Sequence, residues 1–250
     1  MSPWTYLLLF LAGLTGGFID AIAGGGGLIT VPALLAAGLP PRIALGTNKF
    51  QSTFGTAVAV SRYLKAGLLR TEGIRLAVVA ALVASMVGAF AVSALDKDLL
   101  KRVIPWMLAT VAVYTALNRR FGLQRGTRKL APAVFAAVFG IGLGFYDGFF
   151  GPGTGSFWTV ALVTLMGCDL REATGYTKAA NLASNVGALA IFLAGGSVHF
   201  TVGAVMIAGQ LLGARAGAGL AIRRGAGVIR PVFLTVVFAM TAKLLWDAWG

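Results

Sequence analysis

Five stretches of this chain are almost free of charged side chains, at positions 77–95, 103–117, 131–150, 202–222 and 231–249. An α-helix needs about 17–25 mostly apolar residues to cross the hydrocarbon core of a bilayer. Of the 250 residues, 58% are hydrophobic and 12% are charged, whereas soluble domains contain about 45–50% and about 25%. The sequence therefore predicts an all-α polytopic membrane protein.

The apolar stretches predict ten helical segments, at 4–23, 28–38, 46–65, 73–95, 103–118, 131–150, 156–167, 173–195, 200–222 and 230–248. Eight of them are long enough to span a membrane. The segments 28–38 and 156–167 would cover only about 16–18 Å of a core that is about 30 Å thick. Each of these two follows a glycine-rich break, so it is either a re-entrant hairpin or the short returning arm of a broken helix.

The chain contains a related pattern twice. Positions 17–26 (GFIDAIAGGG) match 144–153 (GFYDGFFGPG) at five of ten positions, and 30–49 match 159–178 at seven of twenty. We therefore predict two repeats, 1–125 and 126–250, that together form one transmembrane domain. Broken apolar segments at corresponding places in two halves are a sequence indicator of a transporter's binding site.

The distribution of basic residues predicts how the repeats are oriented. If both short segments return across the membrane, each half has five segments, and the two halves are inverted relative to each other. The loops around 62–75, 119–129, 167–172 and 223–230 then share one face and hold 13 of the 21 lysines and arginines, against four on the opposite face. The positive-inside rule makes the rich face cytoplasmic and places both termini outside. A re-entrant 156–167 fits this charge distribution less well.

Two acids, Asp20 and Asp147, are embedded in predicted helices at corresponding positions of the repeats. A charge at bilayer depth costs about 2.5–3.5 kcal/mol on insertion scales, so such a residue usually faces a protein interior or an aqueous cavity. One interpretation is that these carboxyl groups take up and release a proton during transport. The other is that they cap backbone N–H groups of the neighbouring glycine loops.

The glycine breaks themselves, GGGG at 24–27 and GPGTG at 151–155, allow a close approach of the backbone. A helix begins after each break, and the free N–H groups at a helix N-terminus attract anions. Close helix packing is the alternative explanation. The candidate substrate-binding residues here are Gly24, Gly25, Gly26, Gly27, Gly151, Gly153, Thr154 and Ser156.

A polar stripe follows each short segment. Lys178, Asn181 and Asn185 are spaced by three and four residues and so share one helical face. The equivalents in the first repeat are Lys49, Ser52 and Thr56, with Asn48 and Gln51 beside them. A lysine with amides beside it suits an oxyanion, through charge attraction and orienting donors. The alternative for either lysine is that its side chain reaches outward to the membrane interface.

Arg215 lies within a run of small residues, GQLLGARAG at 209–217, that is typical of close helix–helix packing. If the arginine belongs to the packed face it needs a partner, which could be an acid, a carbonyl group or an anionic substrate. Its role is therefore structural or substrate-binding.

Several function classes are excluded or disfavoured. One cysteine and one histidine cannot form a Cys/His metal cluster, and the chain has no nucleotide-binding loop, so we expect neither metal nor cofactor. The net charge of +13 comes from basic residues between the apolar segments, which indicates membrane topology rather than nucleic-acid binding. The alternatives to a carrier are an intramembrane aspartyl-type enzyme using Asp20 and Asp147, and a passive anion channel.

Four motifs occur together along nearly the whole chain: GFID at 17–20 with its glycine run, GTNK at 46–49, GFYDGFFGPG at 144–153 and GQLLGAR at 209–215. In this combination the chain resembles the TauE/SafE family of membrane transporters, also described as sulfite exporters, and above all its bacterial inner-membrane members. The resemblance implies a non-enzymatic transporter of small anions such as sulfite, sulfonates or other organosulfur compounds. Because no ATP-binding motif is present, we expect secondary, proton-coupled transport. A homodimer is left open.

Overall fold

The computed structural model describes residues 1–69, 73–95, 126–225, 227–228 and 231. All regular secondary structure in these ranges is helical, which confirms the predicted all-α class. The helices are α1 (Pro3–Ala23), α2 (Gly27–Ala36), α3 (Pro41–Lys65), α4 (Ile74–Ala94), α5 (Pro132–Phe149), α6 (Thr154–Met166), α7 (Leu170–Ala194) and α8 (Phe200–Arg224).

The observed helix bounds follow the predicted segments to within three residues, with one exception. Helix α3 begins at Pro41, five residues before the predicted start at position 46. Proline is favoured in the first turn of a helix because it has no N–H to leave unpaired and its φ is already helical. The predicted segments 103–118 and 230–248 lie outside the described residues.

The described helices fall into three groups by length and polarity. Helices α1, α4, α5 and α8 are long and apolar enough to cross a membrane. Helices α3 and α7 have 25 residues each, but polar side chains lie along their buried faces. Helices α2 and α6 have 10 and 13 residues, or about 15 and 20 Å of axis. The short segments after the glycine breaks are thus present, and the total of eight full spans stays a prediction.

The four long apolar helices pack in two pairs, α1 on α8 and α4 on α5. The sequence repeat relates the contact in one pair to the contact in the other. In one pair Gly217 lies against the carbonyl group of Phe18, and in the other Gly88 lies against that of Phe145. These residues are related by the same offsets as the sequence repeat, 129 for the glycines and 127 for the phenylalanines. Small residues allow such close backbone approach between membrane helices.

Helices α3 and α7 pack against each other, α3 also contacting α8 and α7 also contacting α4. Gly46 on α3 lies against the carbonyl group of Ser197, and Gly175 on α7 lies against that of Leu68. Gly175 follows Gly46 by 129 residues, and Ser197 follows Leu68 by the same 129 residues. Exchanging the two halves of the chain therefore exchanges these contacts as well.

The two glycine loops meet each other. Gly24 ends α1 with φ +76°, and a Cβ atom added there would lie 2.6 Å from the Cα atom of Gly155. A Cβ atom on Gly27 would lie 3.1 Å from the Cα atom of Pro152. Gly151 has φ +98°, a backbone conformation that glycine adopts without the strain of a side chain. The local sequence thus breaks both helices where the halves of the chain come together.

Candidate functional site

A polar cavity lies where the glycine loops meet α3 and α7. Its volume is about 350 Å³ when its opening is included. Both repeats contribute the same kinds of group to it: a glycine loop, an embedded acid and part of a polar stripe. The lining residues are Asp20, Gly24, Gly25, Gly26, Gly27, Asn48, Lys49, Ser52, Thr56, Asp147, Gly151, Gly153, Gly155, Asn181 and Asn185.

The first charged pair joins α3 to α5. The Nζ atom of Lys49 donates to the Oδ1 atom of Asp147 at 2.8 Å, and the two side chains are 2% and 5% exposed. Lys49 also donates to the Oδ1 atom of Asn185, on α7, at 3.2 Å. The ammonium group is therefore held by side chains from two helices of the second repeat.

The Asp147 carboxylate has two further donors. The hydroxyl group of Thr154 donates to Oδ1 at 3.1 Å, and that of Ser184 donates to Oδ2. Hydrogen bonds to an ionised acceptor are stronger than those between neutral groups, so three donors hold this carboxylate firmly.

The second charged pair joins α7 to α1. The Nζ atom of Lys178 donates to the Oδ2 atom of Asp20 at 3.0 Å and also to the backbone carbonyl group of Asp20. The Lys178 side chain is fully buried, whereas that of Asp20 is 22% exposed. Among the described residues, Lys178 is the one hydrogen-bond donor to this carboxylate.

The two pairs cross between the repeats. Lys49 and Asp20 belong to the first half, Lys178 and Asp147 are their counterparts in the second, and each lysine binds the acid of the other half. Removing one partner of a buried ion pair typically costs about 3–5 kcal/mol because a buried charge is left uncompensated. The pairs therefore hold the two halves together around the cavity. Since both lysines are buried, the interpretation that they reach out to the membrane interface is wrong.

The partners of the two acids differ from those expected of loop caps or of a catalytic dyad. The described donors to both carboxylates are side chains of lysine, threonine and serine, whereas capping would use loop N–H groups. The enzyme hypothesis requires two carboxylates that share a proton, but Asp20 and Asp147 each bind a separate lysine. Within the described ranges, no group of three His, Cys, Asp or Glu side chains could hold a metal ion.

The amides of the polar stripes differ in how well they are paired. The Oδ1 atom of Asn48 accepts from Thr30 at 2.6 Å and from Gln51 at 2.9 Å. The Nδ2 atom of Asn185 donates to the Thr56 hydroxyl group at 3.4 Å. The Oδ1 atom of Asn181 is buried and has no hydrogen-bond partner among the described residues. An unpaired buried amide beside a cavity is the kind of group that a bound ligand or water satisfies.

Three of the predicted substrate-binding residues do not line the cavity. Lys178 binds the Asp20 carboxylate, and the single hydroxyl proton of Thr154 is shared between Asp147 at 3.1 Å and the carbonyl oxygen of Gly151 at 2.6 Å. The hydroxyl group of Ser156 donates to the carbonyl oxygen of Gly24 at 3.2 Å, which ties the two glycine loops together. These residues support the lining rather than form it.

Arg215 lies away from the cavity and is exposed. The packed face of α8 instead consists of Gly209, Gly213 and Gly217, which lie against α1. Residues two apart on a helix do not share a face, so Arg215 points away from these glycines. The interpretation that it belongs to the packed face is wrong.

Sequence reasoning missed Ser184, whose hydroxyl group donates to the Asp147 carboxylate. Ser184 is three residues from Asn181 and so lies on the same helical face, and this spacing in the sequence could have indicated it. The repeat gave no help, because the corresponding position in the first half is Gly55. Ser52 and Thr56, by contrast, belong to the predicted stripe of Lys49, and both line the cavity.

Residues 9–244 match the family described as "Sulfite exporter TauE/SafE". The chain belongs to the TauE/SafE family. The expected resemblance is thereby confirmed over nearly the whole sequence, and the repeated motifs, both charged pairs and the cavity lie inside the matched region.

Similar proteins include "Probable membrane transporter protein YfcA" of Escherichia coli K12, which is 40% identical over 250 residues, covering 100% of this chain and 93% of that protein. A "Probable membrane transporter protein" of Haemophilus influenzae is 39% identical over 240 residues, covering 96% of this chain and 94% of that protein. "Sulfite exporter TauE/SafE family protein 6" of Arabidopsis thaliana is 32% identical over 136 residues, covering 54% of this chain and 27% of that protein. No solved structure matches significantly. These names agree with the prediction of a membrane transporter that is not an enzyme.

Proposed function

We propose that this TauE/SafE member is a secondary transporter of small anions, such as sulfite, sulfonates or other organosulfur compounds, and that the polar cavity binds them. The observation that carries the proposal is the crossed arrangement of two buried lysine–aspartate pairs at the cavity. A buried lysine whose partner is a carboxylate already provides the contacts that a substrate oxyanion needs. An anion can therefore compete with the carboxylate for the ammonium group.

The neutral groups of the cavity suit the same kind of ligand. Asn181, Asn185, Ser52 and Thr56 supply amide and hydroxyl groups that can orient an oxyanion or its polar substituents. Even with its opening included, the cavity measures only about 350 Å³. This size favours a sulfite- or sulfonate-sized anion over a large metabolite.

Proton coupling follows from the same pairs. A protonated aspartate no longer attracts its lysine, so the ammonium group becomes available to an anion, whereas an ionised aspartate both holds the lysine and repels the anion. Two ligands are coupled when binding one changes the free energy of binding the other. Binding of a proton to an acid of the cavity thus favours binding of the substrate.

The membrane arrangement that we propose is two inverted repeats of five segments, with eight full spans, in the bacterial inner membrane and with both termini outside. The reciprocal contacts of α1 with α8 and of α4 with α5 support a two-fold relation between the halves. The surplus of basic residues on one predicted face supports the inversion.

Lys65 and Ala194 provide a test of the inversion. They end α3 and α7, they are offset by 129 residues, and both are exposed. In a Cys168→Ser background, which removes the one native thiol, Lys65→Cys is expected to resist a membrane-impermeant maleimide in intact cells, and Ala194→Cys is expected to react. Labelling of both positions from the same side would show parallel repeats.

Transport itself is testable in proteoliposomes that contain the purified protein. We expect saturable uptake of radiolabelled sulfite or methanesulfonate that an imposed pH gradient accelerates. Lys178→Gln should raise the half-saturating concentration about 10- to 100-fold, because a hydrogen bond to a charged group contributes about 1.5–3 kcal/mol. Arg215→Gln removes an exposed charge from the same bundle and serves as the control. Flux that does not saturate would indicate a channel, and equal rates with and without the gradient would remove proton coupling.

A further inference from the structure

We propose that the two acids of the cavity have different roles: Asp20 gives up its lysine to the substrate and takes one proton for each monovalent anion, while Asp147 stays ionised and anchors the two halves. This assignment rests on the proposed anion transport and adds to it the identity of the proton-binding residue and the proton count. The sequence repeat by itself would make the two acids equivalent.

The two charged pairs are equivalent in the repeat but not in their surroundings. The Asp147 carboxylate is 5% exposed and accepts hydrogen bonds from Lys49, Thr154 and Ser184. The Asp20 carboxylate is 22% exposed and has Lys178 as its one described donor. Neutralising Asp147 would leave three donors without their shared charged acceptor. Neutralising Asp20 affects one donor, at a place that water and protons reach from the cavity.

The two lysines also differ in the groups that hold them in place. Lys49 is held by Asn185 as well as by Asp147, so its position depends on two helices. Lys178 is held by the carboxylate of Asp20 and by the backbone carbonyl group of the same residue. If the Asp20 side chain turns away after protonation, the carbonyl group still positions Lys178. The ammonium group then faces the space that the carboxylate has left, next to the cavity.

The charged and titratable groups near Asp20 come from several helices. Helix α7 contributes Lys178, and α3 contributes Lys49 on the cavity wall together with Tyr63, whose hydroxyl group donates to the carbonyl oxygen of Ala21 at 3.0 Å. Across the cavity, α5 contributes Asp147. Helices α2 and α6 contain no charged residue, and on α8 the arginine nearest to the middle of the helix, Arg215, is exposed.

The charges around the cavity therefore cancel, with two lysines against two aspartates among the described residues. A monovalent anion that binds without a proton would leave a net negative charge in a poorly solvated site, which is unfavourable. One proton on Asp20 restores neutrality and frees Lys178 in the same event. We therefore expect binding of one monovalent anion to be accompanied by uptake of one proton, and net transport to be electroneutral.

Methanesulfonate is a suitable probe because it is monovalent at all accessible pH values. It is added to the concentrated, detergent-purified protein in weakly buffered solution near neutral pH, and the proton uptake is recorded with a pH electrode. The amount bound is measured in parallel with the radiolabelled anion. We expect about one proton per bound anion for the unsubstituted protein and for the exposed-site control Arg215→Gln, and about none per bound anion for Asp20→Asn.

Proton uptake by Asp20→Asn equal to that of the unsubstituted protein would overturn the assignment of Asp20. Binding to the unsubstituted protein without proton uptake would overturn the coupling. Absence of methanesulfonate binding to the unsubstituted protein would instead contradict the proposed function, and so the two failures are distinguishable. The ratio of one proton per anion can also be tested with the unsubstituted protein alone. In proteoliposomes, a membrane potential set by potassium and valinomycin should leave methanesulfonate uptake unchanged. Acceleration by an inside-positive potential would overturn a ratio of one proton per anion.

Discussion

Replacing Lys49 by methionine is expected to lower the free energy of unfolding by about 3–5 kcal/mol, because Asp147 is then buried with its charge uncompensated. The side chains of this pair are 2% and 5% exposed, so water can compensate little of the charge that the ammonium group neutralises. Thr154 and Ser184 still donate to the carboxylate, but neither brings a positive charge. The measurement is the unfolding of the purified protein in detergent, followed by loss of helical signal with denaturant.

Two further variants make this prediction specific. Lys65→Met removes an exposed lysine at the end of the same helix and should change stability by less than about 0.5 kcal/mol. The double variant Lys49→Met/Asp147→Asn removes both charges and should recover most of the loss, since replacing both partners of a buried pair is often near neutral. If the two single substitutions destabilise additively in the double variant, the pair does not act as a unit.

The second large effect is expected at the contact between the glycine loops. Gly24→Ala should prevent the loops from packing, because Gly24 has φ +76° and its new Cβ atom would lie 2.6 Å from backbone atoms of Gly155. The backbone conformation alone costs a non-glycine residue about 1–2 kcal/mol. Overpacking against a rigid neighbour adds about 1–3 kcal/mol. We expect a marked loss of monodisperse protein on size-exclusion chromatography and no transport by the remainder.

Gly38→Ala is the matched control for this substitution. Gly38 has φ +87°, so it shares the conformational penalty, but nothing lies within 4 Å of its added Cβ atom. The difference between the two variants therefore measures the contact between the loops. If Gly24→Ala and Gly38→Ala lose the same amount of protein, the close approach of Gly24 to Gly155 does not contribute to folding.

Most helix bounds could be predicted because they depend on local features of the chain. A run of apolar residues is limited by the thickness of the bilayer, and a glycine or proline at the edge of such a run marks where a helix ends or begins. The start of α3 at Pro41 was predicted too late because the prediction followed hydrophobicity and passed over the proline signal. Arg215 was misjudged although the fourfold spacing of Gly209, Gly213 and Gly217 already places it on another face.

The candidate site was predicted in part. Asp20, Asp147, both glycine loops, Lys49 and the amides were selected from their polarity within apolar sequence, and the structure brings them to one cavity. Their pairing was not predicted: the two interpretations of the lysines were an oxyanion site and a side chain that reaches the membrane interface, and those of the acids were a proton site and a cap of the glycine loop. Ser184 was not selected, although it shares the helical face of Asn181.

The sequence by itself determined the membrane class, the helices and their breaks, the duplication and the buried polar residues, because each depends on neighbours along the chain or on a comparison of the chain with itself. The tertiary structure alone decided that Lys49 binds Asp147, 98 residues away, and that Lys178 binds Asp20, 158 residues away. It also decided that the two equivalent acids differ in exposure. Contacts between the halves depend on how the helices cross, and local sequence does not encode that geometry.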